Sequence, residues 1–277
     1  MPAFFILPSF LPLTLNPRSV AMNKLNFILL SCLLLSLSAC VSQKPVWSDE
    51  FNKAGLPDST KWNYDVGDHG WGNNERQLYT NADSNNAVVR NGSLFITARK
   101  TGEGKYSSAR MITKNKGDWK YGRIEVRARL PKGLGTWPAI WMLPTDWKYG
   151  DWPASGEIDI MEFVGYMPDS VFFSVHTKSY NHSIGTQKTK GIFLSDTHEN
   201  FHIYAIEWKE NEIIFLVDKK EVFRFTKEKN DPDVWPFDQR FHLLLNLAVG
   251  GNWGGQKGID DRIWPQHMEV DYVRVYQ

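Results

Sequence analysis

Residues 123–130 read "RIEVRARL", and the alternation in this stretch sets the fold class. Arg123, Glu125, Arg127 and Arg129 alternate with Ile124, Val126, Ala128 and Leu130. A β-strand sends successive side chains to opposite faces, so this segment is a strand with one charged face and one buried face. The same period of two recurs in "SLFITAR" (93–99), "SVFFSVHT" (170–177), "FHIYAIEW" (201–208), "EIIFLVD" (212–218), "EVFRF" (221–225), "FHLLLNLAV" (241–249) and "MEVDYVRVY" (268–276). Clusters of Gly, Asn, Asp and Pro separate these runs, and no window after residue 46 sustains a helical period long enough for a confident helix. The pattern predicts an all-β chain, two antiparallel sheets packed as a sandwich or jelly roll. One turn is odd: "VDKKEV" (217–222) puts Lys219 where a tight hairpin prefers Gly.

The chain has 277 residues, 42% hydrophobic and 14% aromatic, with a formal charge of +1. That suffices for one well-buried core. Basic residues form no stripe, which argues against a nucleic-acid partner, and acidic residues form no disordered tail.

The first 46 residues read as export apparatus rather than fold. From Met22, "MNKLNFILLSCLLLSLSAC" has a short polar start with Lys24, an apolar run from Leu25 to Leu37 and small residues before Cys40, the anatomy of a signal peptide (22–39). The ending "LSAC" resembles the lipobox of bacterial lipoproteins, which implies cleavage before Cys40, acylation of that Cys and a cell-envelope location; an ordinary secretory signal with an incidental Cys is the alternative. Membrane contact is then expected only through the lipid. Residues 1–21, with Pro2, Pro8, Pro12 and Pro17, are expected to lie upstream of the true start. Cys32 leaves with the signal, so stability must come from the core and not from disulfides. Without residues 1–39 the chain carries 30 basic and 31 acidic side chains, which suits an uncharged substrate. Residues 40–46 read as the lipidated Cys and a tether, and 47–277 as a single domain, expected to be a monomer.

The acids of "GEIDIMEF" (156–163) pose the functional question. Simple alternation puts Glu157 and Asp159 on one face and Glu162 on the other. A β-bulge absorbing Met161 returns Glu162 to the face of Glu157 and Asp159 and sends Phe163 to the core. Four effective strand steps then separate the two Glu, roughly 13 Å along the strand at about 3.3 Å each. Side chains leaning together would bring the carboxyls near the roughly 5–5.5 Å of retaining glycoside hydrolysis. A solvated face of ordinary charges is the bland alternative. Against it stand Trp137, Trp141, Trp147 and Trp152 in the flanking sequence, since indole faces stack on sugar rings while carboxylates meet hydroxyls. Trp137 and Trp141 are expected to line the groove. A metal held by His176 and His182 lacks a convincing third ligand.

"GEIDIMEFVG" (156–165) closely resembles the signature of family 16 glycoside hydrolases, in the bacterial laminarinase branch that carries the extra Met. "WSDEFN" (47–52), "WGNNERQLYT" (71–80), "YGRIEVRARLPKG" (121–133), "GTWPAIWMLP" (135–144), "VHTKSYNHSIGTQ" (175–187), "LLLNLAVGGNWGG" (243–255) and "MEVDYVRVY" resemble family segments in family order. The resemblance implies a β-jelly-roll sandwich with an open substrate cleft on its concave face, and retaining endo-hydrolysis of β-1,3-glucosidic bonds in a β-glucan. It implies Glu157 as nucleophile, Glu162 as acid and base, Asp159 as their assistant and His176 beside the acid. Asn74, Arg110, Asn246 and Trp253 fall in blocks that line the cleft in relatives, although Arg110 also reads as a surface pair and Asn246 as a satisfied core amide. No catalytic cofactor is implied. A structural Ca²⁺ is, at positions matching Glu50, Gly92 and Asp271. Mixed-linkage β-1,3-1,4-glucan, an agar- or carrageenan-type galactan, transglycosylation, and a non-catalytic glucan-binding lectin on the same sandwich are the competing readings.

Overall fold

The computed structural model describes residues 43–277; the expected signal segment (22–39) and Cys40 lie outside the described residues. Strands dominate, and the described residues contain no α-helix, only two short 3-10 turns. One sheet runs β16 (Lys220–Thr226), β15 (Glu212–Val217), β14 (His202–Trp208), β9 (Gly122–Arg129), β18 (Gln266–Tyr276), β5 (Ser93–Gly102), β6 (Lys105–Ser108), β3 (Gln77–Tyr79). β1 (Trp47–Asp49) pairs with β18, and β4 (Ala87–Arg90) with β5. The second sheet runs β13 (Lys188–Phe193), β12 (Ser170–His176), β11 (Glu157–Phe163), β10 (Thr136–Pro144), β17 (Phe241–Val249), β7 (Arg110–Ile112), β2 (Asn63–Tyr64), with β8 (Asp118–Trp119) also on β17. Pairing is antiparallel except between β3 and β6. This is the expected jelly-roll sandwich.

The alternation of β9 works as its sequence dictates. Ile124, Val126 and Ala128 are fully buried between the sheets. On the other face Arg123 meets Glu125 and Glu207, Arg127 meets Asp271, and Arg129 meets Glu269. Such half-exposed pairs stabilise little individually, and their main effect is to keep this face wet and the sheet single. β17 departs from alternation because it is covered on both faces: Phe241, Leu243, Leu245, Leu247 and Val249 fill the core, while Leu244, Asn246 and Ala248 are buried from the other side. Each fully buried aliphatic or aromatic side chain contributes about 1.5–3 kcal/mol.

The "VDKKEV" turn joins β15 to β16 through two residues, Asp218 and Lys219, both with positive φ (48° and 70°). A two-residue hairpin needs that geometry to match strand twist. Asp218 suits it, because its carboxylate accepts from the backbone N–H of Ile203 and lies 2.7 Å from Nδ1 of His202. Lys219 bears the strain.

Candidate active site

At the centre of the second sheet β10, β11, β12 and β17 floor a cleft of about 770 Å³. Against β12, Glu157 pairs with His176, Asp159 with Ser174 and Glu162 with Phe172, so Ile160 and Met161 together oppose Phe173. Against β10, Glu162 pairs with Ala139, Met161 with Ile140 and Asp159 with Trp141, leaving Ile160 as the residue without a partner. The strand therefore bulges, but Met161 keeps its place in the β10 ladder and Ile160 is the one squeezed out of it. Ile160 and Met161 are both fully buried in the core, and Glu157, Asp159 and Glu162 all line the cleft. Small residues stand on one side of two of the acids, Ala139 across from Glu162 and Ser174 across from Asp159, while His176, Trp141 and Phe172 flank the trio elsewhere in the ladders.

Indole donors meet both Glu side chains. Trp152 donates its indole N–H to Oε2 of Glu157 at 2.9 Å, and Trp137 donates to Oε1 of Glu162 at 3.1 Å. Nε2 of His176 lies 3.2 Å from Oδ2 of Asp159 and 3.7 Å from Oε1 of Glu157. Burial first, and neighbouring negative charge second, push every acid upward: Glu157 to about 8 under Asp159, Glu162 to about 7 under Glu157, and Asp159 well above the carboxylate range under Glu162. Three carboxyls in one buried site do not all ionise near neutral pH; they share protons. Donors do not separate the two Glu, since Trp152 serves Glu157, Trp137 serves Glu162 and His176 lowers both; what separates them is Asp159, whose charge lifts Glu157 above Glu162 in the resting site. Such a pair, sharing protons between carboxylate and carboxylic acid, is equipped for acid–base and nucleophilic chemistry at an acetal carbon.

Glu157, Asp159 and His176 each bring one ligand atom within 4.8 Å of the others, the one group of that kind among the described residues. His182 is not part of it: it packs on Trp152 at 4.9 Å, centroid to centroid, and against His176 at 5.3 Å.

The remaining expected residues fall in different places. Trp137 and Trp141 line the cleft, and Trp253 joins them, edge-on to Trp137 at 5.6 Å and to Phe172 at 5.1 Å. Arg110 lines it too, its guanidinium held by Asp65 and sandwiched between the rings of Trp71 (4.5 Å) and Trp141 (4.7 Å). Asn246 lies in the floor, 6% exposed, with its amide committed to Trp141 and Tyr79. Asn74 is not among the lining residues. With φ at 55° it sits in a left-handed turn, and its amide donates to Asn252 while its neighbours Asn73 and Glu75 face the cleft.

Outside the cleft, both oxygens of Glu50 accept from Arg274 (2.9 and 2.8 Å), Asp271 is held by Arg127 at 2.6 Å, and Gly92 occupies the β4–β5 turn at φ 78°. As arranged, both side-chain carboxylates are engaged by guanidiniums, Glu50 by Arg274 and Asp271 by Arg127.

Sequence reasoning missed Trp71, Glu75 and Gln187 and left Trp147 and Trp152 open; all five line the cleft. Trp71 and Glu75 lie in the "WGNNERQLYT" block, where a dense run of aromatic and amide residues was the available signal.

The model of glycosyl hydrolases family 16 matches residues 74–274. A beta-glucanase of Rhodothermus marinus is 55% identical over 241 residues, 84% of this chain and 84% of the relative. The X-ray structure of the laminarinase from Rhodothermus marinus aligns with a TM-score of 0.82 at 54% identity, covering 85% of this chain and 97% of that one. A glucan endo-1,3-beta-glucosidase of Cryptopygus antarcticus is 37% identical over 246 residues, 82% of this chain and 90% of the relative. With its sandwich, its bulged strand and its three acids inside the matched span, the chain belongs to family 16 of the glycosyl hydrolases.

Proposed function

We propose that the protein hydrolyses internal β-1,3-glucosidic bonds of laminarin-type β-glucans with retention of configuration. In the protonation state of the shared-proton site that reacts, Glu157 is ionised and Glu162 carries the proton: Glu157 attacks the anomeric carbon, and the glycosidic C–O bond breaks as Glu162 passes its proton to the leaving oxygen. Glu162, now a carboxylate, takes a proton from water, the water oxygen attacks the same carbon, and Glu157 leaves as carboxylate. Each step uses an atom that the hydrogen bonds leave open: Trp152 occupies Oε2 of Glu157, freeing Oε1 to attack, and Trp137 occupies Oε1 of Glu162, freeing Oε2 to carry the proton. Asp159 with His176 beside it tunes the charge on Glu157. Trp137, Trp141 and Trp253 offer faces and edges to the sugar chain, and Arg110 and His176 offer donors.

The single observation that supports this reading is the bulge that puts three acids on one face of an indole-walled cleft. The test is reducing-end release from laminarin, lichenan and agarose, with the first-formed anomer read by NMR. Release from laminarin with the β-anomer first supports the reading; activity confined to agarose, or none on any of the three, refutes it.

Three finer properties belong to the same proposal. The mature protein is a lipoprotein of the cell envelope anchored through Cys40, for which Cys40→Ser should shift it from the membrane to the soluble fraction. A structural Ca²⁺ held by oxygens of Glu50, Gly92 and Asp271 would stabilise the fold; an unchanged Tm between EDTA and CaCl₂ excludes it. The domain acts as a monomer, which light scattering checks.

A further inference from the structure

A chain of polar side chains, with Asn246 and Tyr79 buried at its middle, connects the Trp141 wall of the cleft to a carboxylate that the reaction above does not use. The indole of Trp141 donates to Oδ1 of Asn246 at 2.7 Å; Nδ2 of Asn246 donates to the hydroxyl of Tyr79 at 2.9 Å; that hydroxyl donates to Oε2 of Glu75 at 3.3 Å. Tyr79 is fully buried, and the path crosses from β10 through β17 to β3.

The direction of every bond is fixed by chemistry. An indole N–H only donates, so Asn246 must turn its oxygen to Trp141 and its NH₂ to Tyr79. The Tyr79 hydroxyl, having accepted, must donate onward, and Glu75 must receive. A second path ends on the same atom. The backbone N–H of Val249 donates to Oε1 of Gln77 at 2.7 Å, which leaves Nε2 of Gln77 to donate to Oε2 of Glu75 at 2.6 Å. Both paths start at groups that only donate and converge on one carboxylate oxygen. Burial pushes the Glu75 carboxyl up, while the Gln77 donor and the nearby Arg110 charge hold it down. Bonds aligned head to tail reinforce one another, and a charge at their end reinforces them most.

Trp141 stands directly across the β10–β11 ladder from Asp159, and Arg110 lies on its face. The tilt of this indole therefore sets the platform beside the acids. We propose that Glu75 is a positioning residue, which through Tyr79 and Asn246 holds the indole of Trp141 at the angle a glucan chain stacks on. The inference rests on the glucanase reading for its substrate, though not for its geometry.

The test is a double-mutant cycle on laminarin with Glu75→Gln, Trp141→Phe and the double variant, with Tyr79→Phe as the milder break in the chain. Glu75→Gln and Tyr79→Phe should each raise KM about five- to tenfold and leave kcat within about twofold. In the Trp141→Phe background, Glu75→Gln should change KM by less than about twofold, because its effect has no remaining route. The indole N–H resonance of Trp141 should move in both Glu75→Gln and Tyr79→Phe. Additive KM effects mean that Glu75 touches sugar itself and overturn the proposal; so does a kcat collapse, or an unmoved Trp141 resonance. A parent inactive on laminarin sinks the substrate reading, while the resonance still decides the relay.

Discussion

The indole N–H of Trp137 lies 3.1 Å from Oε1 of Glu162, so a residue that walls the cleft also holds one of its acids. That donor favours the charged form of Glu162 and pulls its pKa down against burial. Trp137→Phe removes the donor and keeps a ring. The alkaline limb of the kcat/KM profile should move to higher pH, and KM should rise roughly two- to tenfold through poorer stacking. A profile measured from about pH 5 to about pH 9 checks this. An alkaline limb that stays put contradicts it.

Stability should fall as pH rises across the range where the site titrates. Glu157 moves from 4.5 to about 8 and Glu162 from 4.5 to about 7. A raised carboxyl pKa means that the folded state binds more protons than the unfolded state between those limits, so unfolding free energy drops from about pH 4.5 to about pH 8. Glu157→Gln combined with Glu162→Gln should be more stable than the parent at pH 8 by on the order of 1–3 kcal/mol, with little difference at pH 5. Urea unfolding at the two pH values decides it; a gain that is equal at both would point to packing and not to charge.

The bulge makes a prediction about chain length. Deleting Met161 leaves a regular strand in which alternate positions still carry all three acids, at the cost of a fully buried side chain worth about 2–5 kcal/mol. Activity should survive in reduced form. Inserting one Ala between Met161 and Glu162 should instead turn Glu162 toward the core and abolish laminarin hydrolysis. Equal activity in the two variants is incompatible with a face-setting bulge.

At the β15–β16 turn, Lys219 has φ at 70° and Asp218 at 48°. Lys219→Gly relieves the Cβ at the left-handed position and should stabilise by about 1 kcal/mol, read as a shift of the denaturation midpoint with an unchanged slope. Loss of stability would show that the Lys219 side chain is wanted there.

Much of this was legible in the sequence because the period of β-structure is two and the sheets have one wet face. "RIEVRARL" announced its strand through a charge at every second residue, and those charges meet partners on neighbouring strands. The same rule, applied strictly, exposed the misfit of Glu162 and so the bulge. What alternation could not say was which of Ile160 and Met161 leaves the ladder, because both are apolar and both end in the core. Nor could it rank the polar residues of "WGNNERQLYT". Asn74 and Glu75 are adjacent, and only the left-handed turn at Asn74 determines that Glu75 faces the cleft. Asn246 was ambiguous for a related reason, since a cleft-floor amide and a core amide share one strand position until the partner indole is known.

The account stands on Glu157 as the group that attacks sugar, and covalent capture tests it most directly. A 2-deoxy-2-fluoro laminaribioside with a good leaving group should inactivate the protein with one adduct per chain, and peptide mass spectrometry should find that adduct on Glu157. An adduct on Glu162, or turnover without any adduct under conditions where laminarin is cleaved, would contradict it.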